Sequence, residues 1–571
     1  MIDLWYKDAV IYSLDVDSFQ DSDGDGVGDF RGLTGRLDYL AGLGVNCLWL
    51  LPFYPSPNRD NGYDVMDYYG VDPRLGTPGD FVEFLHQARE RGIRVMADLV
   101  VNHTSDQHPW FRAARQSRDS RYHDFYVWSD TLPDDAQEGM VFPGYQTGIW
   151  EWDEAAGAYY LHRFYDHQPD LHIANPAVRE EICRVMGFWL ELGVSGFRLD
   201  AAPFLIEMKG AVGSGEPPED PYAYLREFRD FLSWRRGDAI LLAEANVDLE
   251  SAREYFGEGA KIHMLFSFYL NQRLFLSLAR ERAGDLADAL MTQPVPPPTG
   301  QWANFLRNHD ELDLGRLTPE EREEAFRAFA PEPGMQLYGR GIRRRLPPML
   351  GGDRRRLEMA YSLLFSLPGT PVLRYGEEIG MGEDLTQPER ESVRTAMQWS
   401  SGDNAGFSTA PRESVARPVI RDGPFGAEQV NVADQHRDPG SLLNWTARLI
   451  RTRRACPELG WGRCEVIETG DPAVLAHRCS WRHGEVTTVH NLAGRQATAR
   501  LRLDPPPAGP VLELLSDRSE RRGREERREG EPPGRHEELV DLTREIQLEP
   551  YGYRWFRHDG GPGWLVDPGR F

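Results

Sequence analysis

Apolar residues gather in short continuous runs along the chain: AVIYSLDV, CLWLLPF, RVMADLVV, GFRLDAA, AILLAEAN, KIHMLFSF, WANFLRN and TPVLRYG. Their length and lack of alternation predict strands buried on both faces. Between most of them lie stretches such as DFVEFLHQARERG and VREEICRVMGFWLELG, whose apolar residues recur at helical spacing. Eight strands alternating with helices over roughly 450 residues predict an α/β fold, a (β/α)8 barrel with insertions rather than an open sheet.

Two insertions interrupt the alternation. Residues 104–175, after the third strand, are rich in Trp, Tyr, His and Asp without a clean period. Residues 311–356, after the seventh, read as short helices, PEEREEAFRAF and then GIRRRLPPML. Both leave from C-terminal strand ends, so both are expected to overhang the barrel mouth as lids. The stretch SLLNWTARLIRTRRACPEL predicts a helix that closes the barrel near residue 459, which divides the barrel into residues 1–103 and 176–459. Beyond it, short alternating runs separated by Gly, Pro and Asp predict an antiparallel β-sandwich over 460–571. The run at 516–538 mixes both charges without an apolar face and is expected to be a solvated loop.

Composition narrows the partners. The 571 residues, 40% of them hydrophobic, can build a large core. With 65 basic against 90 acidic side chains the net charge is −25, which argues against nucleic acid and anionic membranes. The start, MIDLWYKDAV, has no basic region followed by an apolar stretch, and no run reaches the length of a membrane span; a soluble, cytoplasmic protein is expected. Cys47, Cys183, Cys456, Cys464 and Cys479 are odd in number and not spaced for zinc, so buried free thiols are expected.

Three acids close apolar runs: Asp200 in GFRLDAAP, Glu244 in LLAEAN and Asp310 in FLRNHDE. A carboxylate there packs badly but suits chemistry, because a parallel barrel gathers its working residues at the C-terminal strand ends. Each has a polar companion, Arg198, Asn246 and His309, and burying so many polar groups for structure alone would be costly. A separate motif, DSDGDGVGD, alternates Asp21, Asp23, Asp25 and Asp29 with glycines; with the Val27 carbonyl these hard oxygens suit a structural calcium ion.

Four blocks in order, DLVVNH (98–103), GFRLD (196–200), the Glu of AEAN (243–246) and RNHDE (307–311), make the chain resemble glycoside hydrolase family 13, the α-amylase superfamily. WYKDAVIY, NHTSDQHPWF, GIRRRLPPML and YGEEIGMGED extend the likeness over nearly the whole chain, and within the family it is most similar to the trehalose synthases (maltose α-glucosyltransferases), with some α-glucosidase-like features. The resemblance implies a barrel with a B domain at 104–175 after strand three, and retaining, exo-acting α-glucosyl chemistry. It implies interconversion of maltose and trehalose by intramolecular transglucosylation with side hydrolysis, or, as the alternative, hydrolysis of short α-1,4-glucosides. The implied partner is a disaccharide or short α-glucoside with no organic cofactor; the oligomeric state stays open, a homodimer included.

By the same resemblance Asp200 is the nucleophile, Glu244 the acid and then base, expected in the drier environment of the two, and Asp310 the transition-state stabiliser. Arg198 would keep Asp200 ionised. His103 and His309 would bind glucosyl hydroxyls, Tyr63 would stack on the sugar, and Phe164 and Gln168 would line the pocket. Asp60 of DNGYD and Arg394 of RESVRTAMQW would pair to close it behind the non-reducing end, and the small Ala201 points toward α-1,4 bonds. The chain departs from the synthase pattern in EANVD, with Val247 and Asp248 near the acceptor side, in QPDLH with His172, and in RTAMQW with Ala396.

Overall fold

Eight parallel strands close into a barrel in the computed structural model, which describes residues 3–207, 220–507, 509, 511–517 and 539–559. The strands are β1 (Ile11–Leu14), β2 (Cys47–Leu50), β3 (Arg94–Leu99), β4 (Gly196–Leu199), β5 (Ile240–Ala243), β6 (Met264–Phe266), β7 (Gln301–Phe305) and β8 (Thr370–Arg374). Each falls within one of the predicted runs or begins one residue before it. Neighbours pair in sequence order, as in Tyr12↔Leu48 and Leu199↔Ala243, and β1 pairs β8 to close the ring.

The continuous apolar character has a simple cause. Alternate residues turn to opposite faces: Ile11, Trp49, Met96, Leu242, Phe266 and Phe305 fill the barrel interior, while Leu48, Val95, Leu199 and Leu265 pack outward under the helices. Of these helices, α1 (Pro78–Glu90) starts with a reciprocal capping box between Thr77 and Asp80 and buries Phe81, Phe84 and Leu85. Helix α2 (Pro176–Leu192) starts on Asn175, whose side chain accepts from the Ala177 amide, and buries Val178, Ile182, Val185 and Trp189.

Both insertions carry small sheets of their own. Within 104–175, Trp128–Ser129, Ala158–Leu161 and Trp150–Asp153 form three antiparallel strands. Within 311–356, Leu312–Asp313, Gly341–Ile342 and Gln336–Leu337 form another, beside α3 (Pro319–Phe329). The segment GIRRRLPPML is therefore not helical throughout: Gly341–Ile342 is a strand and only Leu346–Met349 turns helically. The reasons are local. Gly341 is paired with Asp313 and Leu337 in the small sheet, and Pro347 and Pro348 can start a helix but not lie within one. The two insertions meet directly: the Phe142 and Tyr338 rings are 4.9 Å apart, and Arg340 Nη1 donates to the Val141 carbonyl at 2.9 Å.

Past α4 (Arg354–Ser366) and α5 (Leu442–Arg454) the chain builds a six-stranded antiparallel sheet beginning with β9 (Arg463–Ile467), β10 (Val474–Trp481) and β11 (Gly484–Asn491). A two-stranded ladder, Ala497–Ala499 with Ile546–Leu548, adds to a separate core around Val474, Val489 and Phe556. The sheet rests on the barrel through Trp555, whose indole donates to Ser362 Oγ, and through Tyr553 OH, which accepts from the Trp445 indole. The charged run lies, from residue 518 to 538, outside the described residues. None of the five cysteines is joined in a disulfide among the described residues; Cys183 and Cys464 are only partly buried. No described helix is long and apolar enough to cross a membrane.

Candidate active site

Strand geometry gathers the acids. Asp200 and Glu244 follow β4 and β5 by one residue, and their amides extend the ladder to the Leu99 and Leu199 carbonyls. Arg198 lies two residues before Asp200, hence on the same strand face. Its guanidinium, fully buried over the Trp49 ring, ties three carboxylates together: Nη1 lies 2.7 Å from Asp98 and 2.6 Å from Asp200, and Nη2 lies 2.7 Å from Glu244. Beyond Asp200 the chain turns sharply through Ala201, which adopts left-handed torsions (φ 47°, ψ 39°), and its amide donates to Glu244 at 3.2 Å.

Asp310 forms the opposite wall. His309 Nε2 is 2.9 Å from one carboxylate oxygen, and Arg394 (2.8 Å) and Arg390 (3.0 Å) share the other. Tyr63 links the two halves: its hydroxyl donates to Asp98 at 3.0 Å and lies 2.8 Å from His309 Nε2, with the two rings parallel. His103 is held by the Tyr63 carbonyl and packs on Phe164, while Gln168 donates to Asp60 at 2.9 Å. The predicted site residues thus converge on one pocket, with one exception in their pairing.

Asp60 pairs with Arg390 (2.9 Å), not with Arg394. The cause lies in the turn Glu389–Val393: Glu391, three residues before Arg394, takes one of its nitrogens at 3.1 Å, and the His309 carbonyl takes another. Arg390 is left to bridge Asp60 and Asp310, with its guanidinium over Phe142 and near the Tyr165 hydroxyl. RESVRTAMQW carried a signal for this, a second arginine four residues before the first choice. Asp98, in DLVVNH, joins the site as a further carboxylate on Arg198.

Burial decides the electrostatics. It raises Asp200 well above the usual carboxylate range, reinforced by Glu244, Asp98 and Asp310 and opposed by Arg198. Burial works the same way on Asp310, but His309, Arg390 and Arg394 outweigh it and hold that acid well below the range. Three carboxylates share Arg198, and burial raises Asp98 as it does Asp200, so that pair favours keeping a proton. The expected order of dryness is reversed: the Asp200 side chain is 9% exposed and that of Glu244 21%. Asp200 points down into the barrel, whereas Glu244 stands at the open side.

At that open side, Asn246 is strapped to the second insertion. Its carbonyl and side-chain oxygen accept from Arg316, and its amide nitrogen donates to Asp313 at 3.1 Å. Val247 packs partly buried against the core. Asp248, predicted near the acceptor, turns away to cap the helix Leu249–Phe256 through the Glu250 and Ser251 amides.

The Asp-rich loop is only partly gathered. Oxygens of Asp21, Asp23 and Asp29 lie within 4.8 Å of one another, while Asp25 is exposed, accepts from the Val27 amide and stays outside the group. Asp21 accepts from the Gly24 and Gly26 amides and Ser408, and Asp29 from Ser22 and Gly32. Backbone amides therefore offset part of the repulsion, and Asp29 also caps the helix Phe30–Gly35.

Residues 11–329 and 343–462 match the family model of the alpha-amylase catalytic domain. The chain is 45% identical to a trehalose synthase from Pimelobacter sp. over 83% of its length and 84% of the relative's. It is 34% identical to a probable alpha-glucosidase from Rhizobium meliloti, covering 88% and 92% of the two chains. A solved trehalulose synthase variant superposes with a TM-score of 0.72 at 26% identity, covering 97% of this chain and 99% of that one. Barrel, strand-end acids and family match agree: the chain belongs to the α-amylase family, glycoside hydrolase family 13.

Proposed function

We propose that the protein interconverts maltose and trehalose by intramolecular transglucosylation, with minor hydrolysis. The observation that carries this reading is the direct contact of the two insertions, Phe142 on Tyr338 and Arg340 on Val141, beside the pocket that holds the acids. A glucose freed by bond cleavage is thereby kept from leaving while water is kept from entering.

In the first half-reaction Glu244 protonates the glycosidic oxygen and Asp200 attacks the anomeric carbon from the opposite face, giving a glucosyl-enzyme. Arg198 sits on both carboxylates, and its positive charge offsets part of the burial that disfavours the Asp200 anion, the form that attacks. Asp310, held ionised by three cationic or donor neighbours, grips ring hydroxyls as positive charge develops. The Asp60–Arg390 pair blocks the end of the pocket and limits cleavage to single terminal glucosyl units. In the second half-reaction Glu244 takes the proton of the acceptor: the anomeric hydroxyl of the trapped glucose yields trehalose, and water yields glucose.

A second reading, an α-glucosidase for short α-1,4-glucosides, is favoured by Asn246, whose side chain is already engaged by Arg316 and Asp313 and so offers less to an acceptor sugar. Product chromatography from maltose alone separates the two: trehalose as main product is expected, and glucose alone, or only longer oligosaccharides, would select against the isomerase. Asp200→Ala is expected to abolish turnover with an unchanged circular dichroism spectrum.

A calcium ion fits Asp21, Asp23 and Asp29, where hard oxygens meet on a loop that Ser408 ties to the rest of the chain. It would brace that loop and take no part in the reaction. Elemental analysis after mild purification should find it, and chelation should lower the melting temperature. The five free thiols suit a reducing, cytoplasmic setting.

A further inference from the structure

The face of the C-terminal sheet that rests on the barrel carries three metal-ligand side chains that the active site does not use. His477 and Cys479 lie two residues apart on β10 and so share a face of that strand. The antiparallel register sets Cys464 of β9 directly opposite Cys479. Positions i and i+2 of one strand and the facing position of the next converge on one side of the ladder, and their ligand atoms all lie within 4.8 Å of one another. We propose that Cys464, His477 and Cys479 bind a borderline-soft divalent cation, zinc above all, as a Cys2His site with solvent in the fourth position.

The donor set fits that ion and not calcium or magnesium, since two sulfurs and an imidazole replace hard oxygens. His477 Nε2 faces the Ser366 carbonyl at 2.9 Å. Donation of that N–H to a backbone carbonyl is the outer-shell arrangement metal-bound histidines use, and it directs Nδ1 to an ion that would displace the Thr488 hydroxyl, 3.3 Å from Nδ1. Arg453, whose guanidinium is committed to the Phe365, Leu367 and Gly369 carbonyls, lies near Cys479 and places a positive charge beside the sulfurs. Two thiolates and a neutral imidazole balance a doubly charged ion. Cys464 is only partly buried, which leaves a route for the ion and for a water ligand.

Ser366 ends α4 and Gly369 precedes β8, so the site lies at the N-terminal end of the barrel, opposite the catalytic mouth. An ion there would tie the first two strands of the sheet to each other, beside the barrel carbonyl that His477 faces. The spacing of the cysteines hid the site, because the hairpin that joins β9 to β10 makes the ligands neighbours only in the folded chain.

The test uses the full chain, stripped of metal under reducing conditions and titrated with Co2+. The expected result is a thiolate-to-cobalt absorption band that saturates at about one equivalent, disappears on adding Zn2+, and is absent from Cys464→Ser and Cys479→Ser, whose maltose turnover stays at the wild-type level. Zn2+ should also protect both thiols of the wild type from alkylation, a readout that does not depend on how well the variants fold. Absence of the band in folded wild type, a band that survives both serine substitutions, or a Cys464–Cys479 disulfide in the reduced preparation would each overturn the proposal.

Discussion

Arg316 and Asn246 join the second insertion to the loop that carries Glu244: the guanidinium Nε lies 2.9 Å from the Asn246 side-chain oxygen, and the same group donates to the Asn246 carbonyl. Arg316 is itself exposed, so its contribution is that of a charged hydrogen bond near solvent.

Arg316→Ala should therefore loosen the lid without disturbing the acids. Loss of about 1 kcal/mol of closure corresponds to roughly a fivefold fall in the trehalose-to-glucose ratio. Chromatography of the products from maltose measures it; an unchanged ratio would show that the strap does not govern water entry.

Arg390 bridges Asp60 and Asp310 while buried. Arg390→Ala leaves two carboxylates facing each other without it, an effect on the order of 3–5 kcal/mol that should lower kcat/KM for maltose by roughly 10²-fold or more. Arg390→Lys should rescue little, because an ammonium cannot serve both acids with one planar fork. Steady-state kinetics of the two variants decide this, and full rescue by lysine would refute the bridging role.

Glu377 offers a pH test away from the site. Burial raises its carboxyl from the ordinary 4.5 to about 7, against the pull of Arg345 and Arg307, and one oxygen accepts from the Arg374 amide. The folded state thus holds this proton more tightly than the unfolded chain does. That contribution is complete below about pH 4.5 and fades as pH rises through 7. Denaturation from about pH 5 to about pH 8 should show the wild type losing on the order of 1–3 kcal/mol more than Glu377→Gln. Parallel stability profiles would contradict the assignment.

Ala201 holds left-handed torsions directly after the proposed nucleophile. Ala201→Val places a β-branched side chain there and should cost roughly 1–3 kcal/mol, whereas Ala201→Gly relieves strain. Thermal melts of the two variants should move in opposite directions.

The barrel was legible because strands buried on both faces leave continuous apolar runs, and all eight were readable from them. The strand-end acids stood out for the same reason, as charges closing apolar segments. What stayed hidden depends on partners far apart in the chain. Arg390 replaced Arg394 at Asp60 because Glu391 and the His309 carbonyl claimed the latter. Asp248 looked like an acceptor-side residue until its side chain proved to cap a helix. Glu244 was expected to be drier than Asp200, but burial depth depends on how far each side chain descends into the barrel, which strand position alone does not tell. GIRRRLPPML shows the same limit, since Gly341 is drawn into a strand by pairing with Asp313 and Leu337.

Three carboxylates sharing one arginine have a consequence for how a sealed pocket can work at all. A lid that excludes water also cuts the catalyst off from bulk acid and base, so every proton needed during turnover must already be inside when it shuts. In the proposed reaction the proton given to the leaving oxygen is replaced by the one the acceptor hydroxyl gives up, so the two half-reactions balance within the pocket. Under that reading the cycle is closed in protons and needs no exchange with bulk solvent.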